Sequence, residues 1–290
     1  MPQPLIELGG QLNAPHLHIA IANGFPPETY RPMLRPLMKT YHAVCFPPRA
    51  LWGDEVPPTG YQDWWPIADD LLAGFDAHLM QDIIAVGHSF GAIGSLLAVI
   101  KEPQRFKALI LLDPTILMPN ILDMIGQAWE QNIIDQMPLV QGAMRRRRVF
   151  DSLDDAFERF RDKRLFEQWS DETLRLYVEH GTRPQIDGNG IELSWSAEWE
   201  AFYFSTVHQT IWDDLPRLDG LVPTLILRGG VSDTFVPESL AQVKTLVPSA
   251  TYQEITGHGH LFPQSAPQLT SDAIQTWLSN LVTENRKTIG

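Results

Sequence analysis

Asp82-Ile83-Ile84-Ala85-Val86-Gly87-His88-Ser89-Phe90-Gly91-Ala92-Ile93-Gly94-Ser95-Leu96-Leu97-Ala98-Val99-Ile100 joins an apolar run to a helical one through a glycine-flanked serine. A short apolar run reads as a strand, and the residues after Gly91 read as a helix. Between them a serine stands between two glycines, Gly87-His88-Ser89-Phe90-Gly91. A sharp strand-to-helix turn of this kind strains the serine backbone and lifts its Oγ clear of the sheet, the arrangement called a nucleophile elbow. Glycine is required on both sides because a side chain there would meet the neighbouring strand and helix. The new helix also aims its N-terminal N–H groups where negative charge would develop. The five-residue pattern arises by chance about 0.1 times in a chain of this length, so the strand-then-helix context carries most of the weight. The bland alternative is a turn whose serine merely caps a helix.

Around this stretch, short apolar runs recur and end in Gly, Asn, Asp or Pro: 17–22, 43–46, 83–86, 108–112 and 224–227, with 251–255 reading as one more strand. Near-continuous runs of this type suit parallel strands buried on both faces. Helical patterns lie between them, over Tyr30 to Lys39, Tyr61 to Met80, Pro237 to Leu246 and Ala266 to Leu281. Alternating strands and helices predict an α/β protein with a mostly parallel central sheet flanked by helices. The alternation stops between about Thr115 and Asp219, where helix formers, Met, Trp and charge dominate. Helices are expected over 122–131, 153–160 and 171–181. The organisation read from this is a core of residues 1–114, a helical cap insertion of 115–220 over the C-terminal edge of the sheet, and a second core part, 221–290.

Composition bounds the function. The chain has 290 residues, a net charge of −13 and 44% apolar residues, so a large core is available and nucleic acid and anionic surfaces are poor partners. The one cysteine, Cys45, lies in an apolar run and reads as a small buried hydrophobe. No basic segment followed by an apolar stretch opens the chain, and no apolar run approaches a membrane span of roughly 18 residues. A cytoplasmic location is therefore expected, and the sequence permits a homo-oligomer. The run Arg145-Arg146-Arg147-Arg148 reads as a solvated face, with an anion site or partner contact as the alternative.

A serine hydroxyl needs a base to take its proton and an acid to orient that base. Elbow serines have these partners in the chain order Ser, Asp or Glu, His. The expected acid is Asp233, just beyond the strand that follows the insertion. Asp113, at the end of the preceding core strand, is the rival, disfavoured because Asp113-Pro114 reads as a turn. The base is sought in Gly257-His258-Gly259-His260-Leu261-Phe262. His260, flanked by Gly259 and the apolar Leu261-Phe262, is expected to be the base, and His258 a loop residue near the mouth. A metal pair of the two lacks a third ligand nearby, and no metal or cofactor is expected. His88 is expected to point away from the serine. The oxyanion needs N–H donors, and the candidates are Phe90 and Phe25, the latter in Ala22-Asn23-Gly24-Phe25-Pro26.

With these residues assembled, the chain resembles the α/β-hydrolase superfamily in its esterase and lipase-like branch, from about residue 15 to the C-terminus. The resemblance rests on Asn23-Gly24-Phe25-Pro26, Gly87-His88-Ser89-Phe90-Gly91, Asp233 and Gly259-His260. It implies an eight-stranded, mostly parallel sheet, a helical cap between strands six and seven, and a Ser-His-Asp triad working without cofactor. Many relatives carry His where Asn23 stands, but a backbone donor does not need that side chain. Serine at the elbow argues against halide or epoxide opening. The expected activity is hydrolysis of a carboxylic ester or related acyl bond of an apolar small molecule. Thioester and C–C bond hydrolysis, a perhydrolase or haloperoxidase-type reaction, and a ligand-binding protein on the same scaffold stand as alternatives. Met118, Met124, Met137, Met144, Trp129, Trp169, Trp195, Trp199 and Trp212 either line an apolar pocket or form the insertion's own core. The loop 47–53 is expected to border the site.

Overall fold

The computed structural model describes residues 4–53, 56–186 and 188–289. In chain order its first part holds β1 (Ile6–Gly9), β2 (His16–Ala20), α1 (Arg31–Leu34), β3 (His42–Cys45), α2 (Trp65–Ala77), β4 (Ile83–His88), α3 (Phe90–Lys101) and β5 (Phe106–Leu112). There follow α4 (Pro119–Glu130), α5 (Pro138–Arg145), β6 (Val149–Phe150), α6 (Leu153–Arg161), α7 (Asp171–Gly181), β7 (Thr182–Pro184), β8 (Ile191–Leu193), α8 (Ala197–Ser205) and α9 (Ile211–Leu218). The last part is β9 (Thr224–Gly229), α10 (Pro237–Leu246), β10 (Thr251–Ile255), α11 (Phe262–Ser265) and α12 (Pro267–Ile289).

The main sheet runs β1-β3-β2-β4-β5-β9-β10. Every pairing is parallel except β1 with β3. It has seven strands among the described residues, one fewer than the resemblance implied. The central strands β4 and β9 are buried along their whole length, which is why they read as uninterrupted apolar runs. From β2 the chain first moves to β3 and then returns to β4 on the other side. The carboxyl ends of β2 and β4 therefore flank the point where strand order reverses, the usual crevice of an open α/β sheet.

Two predicted helices are shorter than their apolar pattern. The stretch 30–39 breaks into α1 and flanking 3-10 turns, because Pro32 and Pro36 each remove an N–H donor. The stretch 61–80 becomes α2, which starts at Trp65 with Pro66 in its first turn. Cys45 is fully buried, and burial holds its thiol well above the ordinary value, as expected of a packing residue.

The residues between β5 and β9 form the helices expected there, as α4, α6 and α7. They also hold a feature the sequence did not reveal, a small antiparallel sheet β6-β8-β7. Its strands of two or three residues are too short to show a period. Serines start three of the helices. Ser152, Ser170 and Ser196 accept from the N–H groups of Asp155, Thr173 and Trp199. Each such cap contributes about 1 kcal/mol. Phe150, Phe157, Phe160, Phe166, Trp169 and Tyr177 make an aromatic cluster of their own, against which Phe25 and Leu261 of the core pack. Trp195 and Trp199 are buried in the main core, whereas Met124 and Met144 are half exposed.

Candidate active site

Ser89 sits between the last residue of β4 and the first of α3, at φ 58 and ψ −122. A non-glycine residue held there stores roughly 1–3 kcal/mol of strain. The flanking glycines let the turn close. A Cβ on Gly87 would lie 2.5 Å from Ala92 Cα, and one on Gly91 would lie 2.4 Å from the Ala20 carbonyl oxygen. The elbow geometry predicted from five residues is therefore present.

His260 lies in the loop after β10, and its Nε2 is 2.8 Å from Ser89 Oγ. That loop packs on the end of β9, where a Cβ on Gly229 would come within 2.5 Å of the Gly259 carbonyl oxygen. His258 Nδ1 faces Ser265 Oγ at 3.0 Å instead.

The carboxylate that meets His260 is Asp113, not Asp233. His260 Nδ1 is 2.7 Å from Asp113 Oδ2. Asp113 is fully buried and accepts two further bonds, from Gly229 N–H at 2.7 Å and from Ser232 Oγ at 2.5 Å. Asp233 is exposed on the loop after β9. The reason lies in register. β5 and β9 are neighbours with Leu112 opposite Leu227, so Asp113 leaves its strand beside the end of β9, on which the His260 loop packs. Asp233 comes six positions after Leu227, by which point the loop has turned outward. The turn that counted against Asp113 is real, with φ 42 and its N–H bonded to the Leu227 carbonyl, and it is what aims the carboxylate inward.

Three donors on one buried carboxylate leave His260 Nδ1 as the protonated ring nitrogen and Nε2 as the acceptor. Ser89 Oγ–H then donates to His260 Nε2. The order Ser89, His260, Asp113 is the arrangement in which a serine proton can be drawn onto the ring while the carboxylate favours the resulting cation.

Of the two expected oxyanion donors, Phe90 is the first residue of α3, so its N–H has no acceptor within the helix. Phe25 follows Gly24, which has φ 85, and its N–H reaches back to the Ala22 carbonyl at a long 3.4 Å. The Phe25 ring stacks obliquely on Trp169 and Tyr177. Asn23 has turned away from the site: its Nδ2 donates to the Glu200 carbonyl at 3.0 Å. Glu200 is paired with Arg146 at 2.8 Å, and burial raises its carboxyl above the ordinary range. Three arginines of the run make ion pairs, Arg146 with Glu200, Arg147 with Asp155 and Arg148 with Glu198. The loop 47–53 runs past Phe90: Pro47, Pro48 and Arg49 share a small surface pocket with Phe90 and Tyr203.

Three residues of the site were missed from sequence. Thr115 Oγ1 lies 3.1 Å from Ser89 Oγ, and its N–H donates to the Ser89 carbonyl at 3.3 Å. Its place two positions after Asp113 was the available signal. His88 and Tyr30 form a buried relay. Ala22 N–H donates to Tyr30 Oη at 2.9 Å, Tyr30 Oη meets His88 Nδ1 at 2.7 Å, and His88 Nε2 meets the His260 carbonyl at 2.9 Å. Because that carbonyl only accepts, His88 carries its proton on Nε2 and receives from Tyr30 on Nδ1. Burial drives His88 well below its ordinary pKa, so it stays neutral. His88 ties the loop at Ala22 to the backbone of His260.

Among the described residues no group of three or more His, Cys, Asp or Glu is placed to hold a metal ion, and no helix is long and apolar enough to cross a membrane.

A model of the alpha/beta hydrolase family matches residues 18–273. The abhydrolase domain-containing protein AKT2 of Alternaria alternata is 25% identical over 233 residues, covering 69% of this chain and 84% of that protein. Among solved structures, E-2-(acetamidomethylene)succinate hydrolase superposes with a TM-score of 0.77 at 18% identity, over 95% of this chain and 94% of that one. The enol-lactonase of Burkholderia xenovorans LB400 superposes with a TM-score of 0.65 at 14% identity, over 95% of each. These likenesses to solved structures show a shared fold.

Proposed function

This chain belongs to the alpha/beta hydrolase family, and from that premise we propose that it is a serine hydrolase. It cleaves a carboxylic ester or related acyl bond of an apolar small molecule through an acyl-enzyme. The observation that carries the reading is the unbroken chain Ser89 Oγ, His260 Nε2, His260 Nδ1, Asp113 Oδ2, with separations of 2.8 and 2.7 Å.

In this reading Ser89 Oγ attacks the acyl carbon while its proton passes to His260 Nε2. The oxyanion is held by the N–H groups of Phe90 and Phe25, the second exchanging its long bond to Ala22 for the stronger charged acceptor. The protonated ring gives its proton to the departing alcohol. Water, deprotonated by the same nitrogen, then attacks the acyl-enzyme and frees Ser89. Asp113 does not take a proton; it holds the ring and favours its cation. Residues 115–220 act as the cap. Their aromatic cluster rests on Phe25 and Leu261, one beside each half of the machinery, and this gives the acyl group an apolar wall. Ser89 is only 8% exposed, so the cap must yield for substrate to reach it.

The test is turnover of p-nitrophenyl esters of increasing chain length, with an enol lactone included because a similar structure is an enol-lactonase. The reading expects Ser89-dependent hydrolysis that improves as the acyl chain lengthens. Rates equal to those of Ser89→Ala across the whole panel would refute it.

A further inference from the structure

We propose that Thr115 is a further catalytic residue of the serine-hydrolase reaction, one whose hydroxyl stabilises Ser89 Oγ when that oxygen is the leaving group. The proposal rests on the reading of Ser89 as the nucleophile.

Asp113 accepts from His260 Nδ1, so His260 Nε2 accepts from Ser89 Oγ–H. The single proton of Ser89 is thereby spent. The contact of 3.1 Å between Ser89 Oγ and Thr115 Oγ1 then has only one polarity: Thr115 Oγ1–H donates and Ser89 Oγ accepts. The Thr115 N–H, bonded to the Ser89 carbonyl, holds the hydroxyl at that place.

A donor aimed at Oγ acts differently in the two halves of the reaction. During acylation Oγ gives electron density to the acyl carbon, and a donor on it brings no advantage. It occupies one lone pair and leaves the other to attack. During deacylation, water adds to the acyl carbon as His260 Nε2 takes its proton. The bond from carbon to Ser89 Oγ then breaks with the electron pair going to Oγ, and His260 Nε2 returns the proton there. Negative charge builds on Oγ in this step, and the Thr115 hydroxyl bonds to it more strongly as it builds.

The experiment is stopped-flow hydrolysis of p-nitrophenyl acetate by wild type, Thr115→Val and Thr115→Ser, with intact mass recorded during turnover. Thr115→Val keeps shape and volume and removes only the donor. It is expected to leave the burst rate within about threefold and to slow deacylation about tenfold. Acetyl-enzyme then accumulates on Ser89, kcat and KM fall together, and kcat/KM stays nearly level. Thr115→Ser, which restores a hydroxyl, recovers deacylation. If kcat/KM falls with no added burst, Thr115 only holds the serine in place and the proposal is overturned; deacylation within twofold of wild type overturns it too. A wild type never acetylated on Ser89 instead removes the hydrolase reading itself. Thermal unfolding of each variant separates a folding defect from a kinetic one, and if Thr115→Val is misfolded, Thr115→Ala gives the same reading without the branched methyl groups.

Discussion

His260 Nδ1 and Asp113 Oδ2 stand 2.7 Å apart although 147 positions separate them in the chain. What brings them together is the order β5-β9-β10: the loop after β10 folds back over the end of β9, which pairs with β5, and so reaches the residue that follows β5. Gly229, at the end of β9, and Ser232, in the loop after it, complete the carboxylate's shell.

Asp113→Asn is expected to lower kcat/KM by about a thousandfold or more while leaving the fold intact, because an amide in that place favours the wrong ring tautomer. Asp233→Asn is expected to stay within about twofold of wild type, as an exposed substitution away from the chemistry does. Steady-state kinetics on the best ester of the panel compares them. The reverse pattern would return the acid to Asp233.

The elbow turn and the nearness of His260 to Ser89 were legible because each depends on a few consecutive residues: glycines that permit a close approach, a strand before and a helix or loop after. The carboxylate beside His260 was not, because its place depends on which strand end lies nearest His260, a fact of sheet register. Asp113-Pro114 looked like an ordinary turn, and it is one; turn and carboxylate placement are the same feature. The bonds of His88, Tyr30 and Thr115 went unread since they cross between elements far apart in sequence, and β6, β7 and β8 because they are too brief to carry a pattern. Most strands of the main sheet were readable because burial on both faces leaves an unbroken apolar run. β1, four residues long and antiparallel at the edge, left only a faint one.

Tyr30→Phe removes the central hydroxyl of the relay from Ala22 to His260. It leaves a buried N–H and a buried ring nitrogen unpaired, which costs about 1–3 kcal/mol of stability. The same change loosens His260 against Ser89, and kcat is expected to fall several-fold with a smaller effect on KM. Urea unfolding and initial rates measured on one preparation check both. Unchanged stability would show that the relay is not closed in solution.

Two buried histidines make stability depend on pH in a direction that can be worked out. Burial lowers His18 to about 3 and drives His88 well below its ordinary value. In the unfolded chain both take up a proton near pH 6.5, and in the folded chain they resist it. Below that pH the unfolded state binds more protons, so stability falls as pH falls, by about 1.4 kcal/mol per unit for each histidine. The contribution is fully present above about pH 6.5 and, for His18, continues to be lost until about pH 3. Urea unfolding at about pH 7.5, 6.5 and 5.5 is expected to show this decline, and His88→Gln to make it shallower by about one proton. A flat profile below pH 6.5 would contradict the assignment.

The most direct test of Ser89 as an activated nucleophile is labelling with a fluorophosphonate, read by intact mass and by mapping the modified peptide, on wild type, Ser89→Ala and Asp113→Asn. One label per chain is expected on Ser89 in wild type, none in Ser89→Ala, and strongly slowed labelling in Asp113→Asn. A folded wild type that takes no label, or a label that persists in Ser89→Ala, would contradict it.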